Sequence, residues 1–365
     1  MQTCRHTSAA CLSKSTGLDS HIDCFFSRYS RRFIMFIEEI LTSRKQVQYA
    51  VLLFVTVLVI LYTNYVINSD YYIGGSGVSI SRPPAMASRP FLCYTYNGRL
   101  GNLMFEFASL TGIAALNNRT LIIAKEDHIY KVFDLKNVTV LDNRDVCNTF
   151  EFIEEALGCC KFDRTLMTLP SGKSFKIGLY LQSWKYFYHV QDEIRRQYQF
   201  RDHIKEKARH IVNTVRASYI YKTPKLIGIH IRIGDIGNEM HNYGGLVIAP
   251  EGYIYKAMDY TKARFSDIIF VVASDDLKWS RSVLNARAND SIYFLEEGVP
   301  PEVDLAVMAS CDHVIQTVGT FSWWAGFLSG GVSIYYPHPG RVGSPGEARY
   351  NYADFFLPNW IPIDV

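Results

Sequence analysis

Apolar positions recur along this chain in two rhythms, after one long unbroken run. The run is residues 47–67, which holds no charged side chain. As a helix it is roughly 31 Å long, enough to cross the hydrocarbon core of a bilayer. Tyr49, Tyr62 and Tyr65 fall near its ends, where interfacial aromatics sit. Past residue 90, short stretches rich in β-branched and aromatic residues alternate with helical patterns. The pattern predicts strands over 91–96, 120–124, 176–183, 226–231, 268–273, 291–295, 313–317 and 333–336. It predicts helices over 100–116, 190–218, 252–264, 277–286, 303–310 and 321–328. Short buried strands alternating with helices define an α/β chain with parallel sheets covered on both faces. The stretch between anchor and first strand, 68–90, holds Gly74-Gly-Ser-Gly77 and Arg82-Pro-Pro-Ala and has the character of a stem.

Charge then orients the anchor. Lys+Arg total 38 and Asp+Glu 35 over 365 residues. The whole excess lies in residues 1–46, so the remainder is neutral and lacks the basic surplus of a nucleic-acid binder. Arg44 and Lys45 flank the N-terminal end of the run, while the other end shows only Asp70. The positive-inside rule places the N-terminus in the cytosol and everything after the anchor on the lumenal side. A hydrophobic fraction of 48% with 20% charged residues excludes disorder and a small disulfide-stapled domain.

Two features suit a lumenal chain. Asn118-Arg-Thr, Asn137-Val-Thr and Asn289-Asp-Ser are glycosylation sequons. Cys93, Cys147, Cys159, Cys160 and Cys311 follow the anchor, where disulfides form. Five is odd, so at least one is free or pairs between chains. No Cys/His set has structural-zinc spacing.

Three strand ends carry the candidate chemistry. Tyr96-Asn-Gly-Arg-Leu-Gly-Asn102 places two glycines around Arg99 just before a helix, either a plain turn or a site offering free N–H donors. Ile227-Gly-Ile-His230-Ile-Arg232-Ile-Gly-Asp235 alternates ionisable and apolar residues. His230 and Arg232 then share one face of a strand. Arg232 is suited to a phosphate, or to a structural pair with Asp235. Thr317-Val-Gly-Thr-Phe-Ser322 runs from a strand into a helix. Thr320 or Ser322 is expected to cap that helix and to donate to an anion, with Trp323 and Trp324 as core. The chain has no Walker lysine motif, which argues against an ordinary ATPase or GTPase. A lumenal, anchored, nucleotide-type α/β enzyme without that motif suggests a Golgi enzyme that uses a nucleotide-sugar.

Four ordered motifs carry a resemblance: Gly98-Arg-Leu-Gly-Asn102, His230-Ile-Arg-Ile-Gly-Asp235, Val271-Val-Ala-Ser-Asp-Asp-Leu-Lys-Trp279, and Thr317-Val-Gly-Thr-Phe-Ser-Trp-Trp-Ala-Gly-Phe-Leu-Ser-Gly-Gly331. Together they resemble the galactoside α-1,2-L-fucosyltransferases (glycosyltransferase family 11) over about residues 91–365. The resemblance implies a type II, single-pass Golgi membrane protein with a GT-B-like fold of two facing Rossmann-like domains. It implies GDP-β-L-fucose as donor, a galactose-terminated glycan as acceptor, inversion at the fucose, no cofactor and no obligatory metal. The layout is then a cytosolic tail (1–46), a signal-anchor helix (47–67), a stem (68–90), an acceptor-side domain (91–223), a donor-binding domain (224–340) and a C-terminal segment (341–365). A homodimer formed through anchor or stem is compatible with it.

Carried onto this sequence, Arg232 resembles the arginine that stabilises the leaving diphosphate, and His230 its neighbour facing the nucleotide. Asp304 resembles the carboxylate that reads the guanine edge, with an ordinary first-turn helix acid as the alternative. Gly319, Thr320, Phe321 and Ser322 resemble the turn holding the diphosphate. Gly98, Arg99 and Asn102 resemble the loop closing over the donor. Asp235 is the expected base, ahead of Glu239 and His241. The family pattern His-x-Arg-Arg-x-Asp is broken here by Ile233 in place of the second arginine. That variant is also similar to protein O-fucosyltransferases, and a membrane-tethered glycan-binding pseudoenzyme is a third reading.

Overall fold

The computed structural model describes residues 89–365 apart from 220–222, 235 and 237–243. The tail, the anchor and nearly all of the stem lie outside the described residues, as does Asp235. Among the described residues no helix is long and apolar enough to cross a membrane.

The first sheet is built from β1 (Phe91–Tyr94), β2 (Thr120–Ala124), β3 (Thr139–Leu141), β4 (Glu151–Glu154) and β5 (Phe175–Gly178). Its order is β3-β2-β1-β5-β4, and every pairing is parallel. Helix α1 (Leu100–Leu116) leads out of β1 and is apolar on nearly every side, so it is buried along most of its length. Short α2 (His128–Val132), α3 (Gln191–Gln197) and α4 (Asp202–Ala217) follow. Helix α4 buries only Ile204, Ala208 and Val215 and turns its charged face outward.

The second sheet holds β6 (Lys225–Ile231), β7 (Ile268–Ser274), β8 (Ile292–Phe294), β9 (His313–Gln316), β10 (Ser333–Tyr335) and β11 (Ile361–Pro362). Its order is β11-β10-β9-β6-β7-β8, again all parallel. The helices are α5 (Glu251–Lys262), α6 (Leu277–Leu284), α7 (Pro301–Ala309), α8 (Thr320–Ser329), α9 (Pro345–Ala348) and α10 (Tyr352–Phe355). Strand β6 pairs on both edges, which is why its apolar run is continuous rather than alternating.

Two predicted elements are shorter than the pattern suggests. The expected helix over 190–218 is two helices, because residues 199–201 run extended beside residues 132–134. There Asp134 N donates to Gln199 O at 2.9 Å and Arg201 N to Val132 O at 2.9 Å. The expected strand over 176–183 stops at Gly178. Tyr180 and Leu181 instead turn their amides onto the Glu155 carboxylate, at 3.1 Å each, with Leu181 at φ +50°.

The halves meet through aromatics. Phe105 of α1 lies 4.6 Å from Trp323 and 4.9 Å from Trp324 of α8, ring centre to ring centre. Both tryptophans are fully buried. Their indole N–H groups are satisfied: Trp324 donates to Gly101 O at 2.9 Å and Trp323 to Phe355 O at 2.7 Å. Gly101 is where α1 and α8 touch, since a Cβ there would stand 2.7 Å from Thr320 Oγ1 and 2.8 Å from Phe321 N. Cys93 and Cys147 form a disulfide tying β1 to the segment after β3, while Cys159, Cys160 and Cys311 are unbridged.

Candidate active site

Each sheet reverses its strand order once, at β1/β5 and at β6/β9. Such switch points open a crevice beyond the carboxyl ends of the strands. A cleft of about 690 Å³ lies there, lined from the first half by Tyr96, Gly98, Arg99 and Asn102, and from the second by His230, Arg232, Asp275, Asp304, Thr320 and Phe321. First-turn residues of both α1 and α8 line it, so two helix N-termini with their free N–H donors border one cavity.

Arg232 follows the last residue of β6. Its amide donates to Thr317 Oγ1 at 3.1 Å, and the same hydroxyl donates to His230 O at 3.0 Å. This fixes the mouth of β6 against the end of β9. The next amide, Ile233 N, donates to Asp275 Oδ1 at 2.8 Å. Ile233 itself is buried among the apolar residues between β6 and α5. The position where the family carries a second arginine is therefore core in this chain.

His230 is buried, with Nδ1 at 2.6 Å from Ser322 Oγ and its ring stacked on Phe321 at 4.6 Å. Burial, with Arg232 adding to it, pushes the imidazole down to about 3. It is neutral at any physiological pH and serves as a polar wall, not as a cation.

Neither Thr320 nor Ser322 caps α8, contrary to expectation. Gly319 is the cap position, and the helix has no side-chain cap. The Thr320 hydroxyl donates across the cleft to Asn102 Oδ1 at 2.8 Å, and the Ser322 hydroxyl faces Val318 O and His230. Asn102 Oδ1 also accepts from Gln182 Nε2 at 3.1 Å. The two predicted loops are thus joined by one hydrogen bond between their own side chains.

Asp304 sits in the first turn of α7. Burial, reinforced by Glu302, pushes its carboxyl up to about 7. Its Oδ1 is buried and has no hydrogen-bond partner. Asp304 lines the cleft, and a carboxyl there suits a ligand carrying N–H donors. Arg99 and Arg232 lie on the same cavity as Asp275 and Asp304, so it carries both cationic and acidic groups.

Of the residues singled out in the sequence, eight line this cleft: Gly98, Arg99, Asn102, His230, Arg232, Asp304, Thr320 and Phe321. Gly319 and Ser322 stand behind the lining, against Arg232 and His230. Sequence reasoning missed Tyr180 and His128, which line the first-half wall, and the role of Asp275. Asp275 lay within a quoted motif, and its position at the end of a predicted strand was the available signal. The sequon asparagines Asn118, Asn137 and Asn289 are all exposed. Among the described residues no cluster of His, Cys, Asp and Glu is arranged to hold a metal ion.

Two switch-point crevices merged into one, lined by arginines and acids, place a candidate ligand site where open parallel sheets bind their ligands. Sequence comparison gives the family. The glycosyl transferase family 11 model matches residues 80–364. Galactoside alpha-(1,2)-fucosyltransferase 2 of Rattus norvegicus is 32% identical over 270 residues, 73% of this chain and 75% of its own length. Galactoside alpha-(1,2)-fucosyltransferase 1 of the same organism is 30% identical over 276 residues, 74% of this chain and 72% of its own. Among solved structures, fucosyltransferase NodZ from Bradyrhizobium covers 66% of this chain and 92% of its own at TM-score 0.45 and 15% identity. The chain belongs to glycosyl transferase family 11.

Proposed function

We propose that this chain is a galactoside 2-α-L-fucosyltransferase, moving L-fucose from GDP-β-L-fucose to the 2-hydroxyl of a terminal galactoside with inversion. The observation that carries the reading is that Arg232 and Asp304 open onto one cleft within a family 11 chain. Asp304, on the cleft wall, offers its carboxylate to the N1–H and N2–H edge of guanine. The diphosphate lies between the N-termini of α1 and α8, against Arg232 and Arg99.

In the reaction the fucose C1–O bond breaks, and its electron pair stays on the β-phosphate oxygen. The acceptor O2 bonds to C1 from the opposite face and loses its proton to a base, for which Asp235 is our proposal. The backbone of Arg232 is held at the mouth of β6 by the Thr317 hydroxyl, and its guanidinium packs against Gly319 beside the cleft, which gives the charge a set place before the leaving group forms. One such fixed donor is worth about 3 kcal/mol, or roughly a hundredfold in rate. We assign this role to the guanidinium, with no obligatory metal. His230 stays neutral and shapes the wall beside the nucleotide.

The same proposal places the sheets as the two halves of a GT-B-like enzyme, with acceptor-side residues in 91–223 and donor-side residues in 224–340. It places residues 47–67 as a Golgi signal-anchor and the cleft in the lumen. The lone charge pair at Arg44-Lys45 and the three exposed sequons support that orientation.

The test is GDP release by the full-length chain in detergent, with GDP-fucose, a panel of β-galactosides and an Arg232→Ala control. Galactoside-dependent release, a product with fucose on O2, and a loss of about a hundredfold or more in the variant are expected. A folded chain that binds GDP-fucose but responds to no galactoside would refute the acceptor assignment.

A further inference from the structure

Cys159 and Cys160 are neighbours in sequence, and their sulfurs lie 2.7 Å apart, inside ordinary non-bonded contact. Both sit past the predicted anchor, where oxidants of thiols are present. Cys160 is buried, while Cys159 is half-exposed. The pair is held from both sides. Gln182 N donates to Cys159 O at 2.7 Å, Asn351 N donates to Cys160 O at 3.1 Å, and Cys160 bridges Tyr350. Nothing in the proposed transfer chemistry uses these thiols.

They are nevertheless wired to the cleft. The Cys160 thiol donates to Gln182 Oε1 at 3.4 Å. Gln182 Nε2 donates in turn to Asn102 Oδ1 at 3.1 Å, the acceptor that the Thr320 hydroxyl also uses. The S–H is thus the outer end of a relay whose inner end joins the two loops of the cleft.

We propose that Cys159 and Cys160 are a reversible redox pair, bridged by a disulfide under oxidising conditions, whose closure withdraws the S–H donor from Gln182 and loosens the Asn102–Thr320 contact. Two S–H bonds break and one S–S bond forms. The electron pair and two protons pass to a small-molecule disulfide such as glutathione disulfide, which leaves as two thiols. Cys159, the more accessible sulfur, makes the first attack, and Cys160 displaces the second thiol from the mixed disulfide. Burial raises the Cys160 thiol well above its ordinary value, so this second displacement is the slow one. A bridge between adjacent residues closes a small ring with poor disulfide geometry, which places it among the readily reduced ones.

The test uses the full-length chain incubated with glutathione disulfide or with dithiothreitol, alkylated under denaturing conditions and mapped by mass spectrometry. After the oxidant, the peptide carrying both cysteines is expected to be unalkylated and lighter by two hydrogens. After dithiothreitol it takes two alkyl groups. Both thiols alkylated after the oxidant, a lasting glutathione adduct on Cys159, or a bridge to Cys311 would overturn the pairing. The second readout, GDP affinity, rests on the donor reading above, whereas the peptide map does not. Oxidation is expected to weaken GDP binding by about three- to tenfold, the loss of one hydrogen bond in the relay. Cys159→Ser, which keeps the Cys160 donor, is expected to be insensitive to the oxidant. Equal GDP affinity in bridged and reduced protein would refute the coupling to the cleft.

Discussion

Gly319 has no side chain, and Nη1 of Arg232 occupies the space where one would begin. The turn between β9 and α8 therefore shapes the arginine socket by what it lacks. Gly319 also adopts φ +90°, which costs an L-residue about 1 kcal/mol or more. Gly319→Ala should leave a folded chain, because the colliding atom is the far end of a flexible side chain. The guanidinium would be displaced, and an error of about 1 Å at such a group costs on the order of a hundredfold in rate. Steady-state kinetics and a thermal melt separate the outcomes. Near-normal kcat with a lowered Tm would mean that Arg232 does not act from this socket.

Asp304 yields a prediction with a definite sign. Its carboxyl is pushed up to about 7 by burial, so in the free chain it is largely protonated below that pH. Guanine offers two N–H donors and needs the ionised form. GDP affinity should rise between pH 6 and 8 and then level off. Binding should also release protons in the lower half of that window. Asp304→Asn should abolish the rise and weaken binding at pH 8 by roughly tenfold or more, the value of a charge-assisted pair. IDP, which lacks the N2 amine, should bind the wild type less well than GDP and the variant about equally. Calorimetric titration of GDP across pH decides the matter. A flat wild-type profile, together with a variant that still prefers GDP, would remove Asp304 from guanine recognition.

The Thr320–Asn102 bond connects two motifs that are 218 residues apart in sequence. Thr320→Val keeps the shape and deletes the donor. A net loss of about 1 kcal/mol is expected, or 2–4 °C in Tm for a unit of this size or somewhat smaller. Asn102→Ala should cost more, since it also removes the acceptor of Gln182. In a double-mutant cycle the two changes should couple by about 1 kcal/mol in stability and in GDP affinity. Additive effects would show that the two loops are not energetically joined.

How far the sequence revealed this arrangement depends on how local each signal is. Helix α1 and strand β2 match their predicted ranges, because their apolar patterns are long and uninterrupted. Strands β3 and β4 were missed. β4 reads Glu-Phe-Ile-Glu and is mostly exposed, so it carries no buried rhythm. β11 is two residues completing an edge, a role set by tertiary pairing alone. The strand-end motifs were visible because glycines and ionisable residues interrupt apolar runs there. Their joining was not: the Thr320–Asn102 bond exists only once the N-termini of α1 and α8 meet, and the Gly319 socket only once β6 pairs with β9. The capping role expected of Thr320 failed for the same reason, since a partner across the cleft claims its hydroxyl.

Glu106 illustrates a group that no local pattern announces. It lies mid-helix in α1, fully buried, and accepts from Tyr96 N at 2.9 Å, Asn97 N at 3.0 Å and, more weakly, Thr95 Oγ1 at 3.4 Å. These donors belong to the turn that carries Tyr96 at φ +62° and Gly98 at φ +83° into the cleft. Burial outweighs them and pushes the carboxyl from 4.5 to about 8. A raised folded value means that the folded state holds a proton the unfolded state has lost. Its stabilising contribution is therefore complete below about 4.5 and is lost as pH rises toward 8. The decline should approach about 1.4 kcal/mol per pH unit at its steepest. Glu106→Gln removes the titration and should flatten that part of the profile, at a constant cost, since its single amide oxygen replaces two carboxylate oxygens that each accept a backbone N–H. Glu106→Leu should cost about 1–3 kcal/mol for each backbone amide left without a partner. Urea unfolding of all three chains at pH 5, 7 and 9 is the measurement, scored as the difference between wild type and Glu106→Gln so that other titrating groups cancel. If that difference stays constant across the range, Glu106 is ionised in the folded chain and holds the turn as a carboxylate.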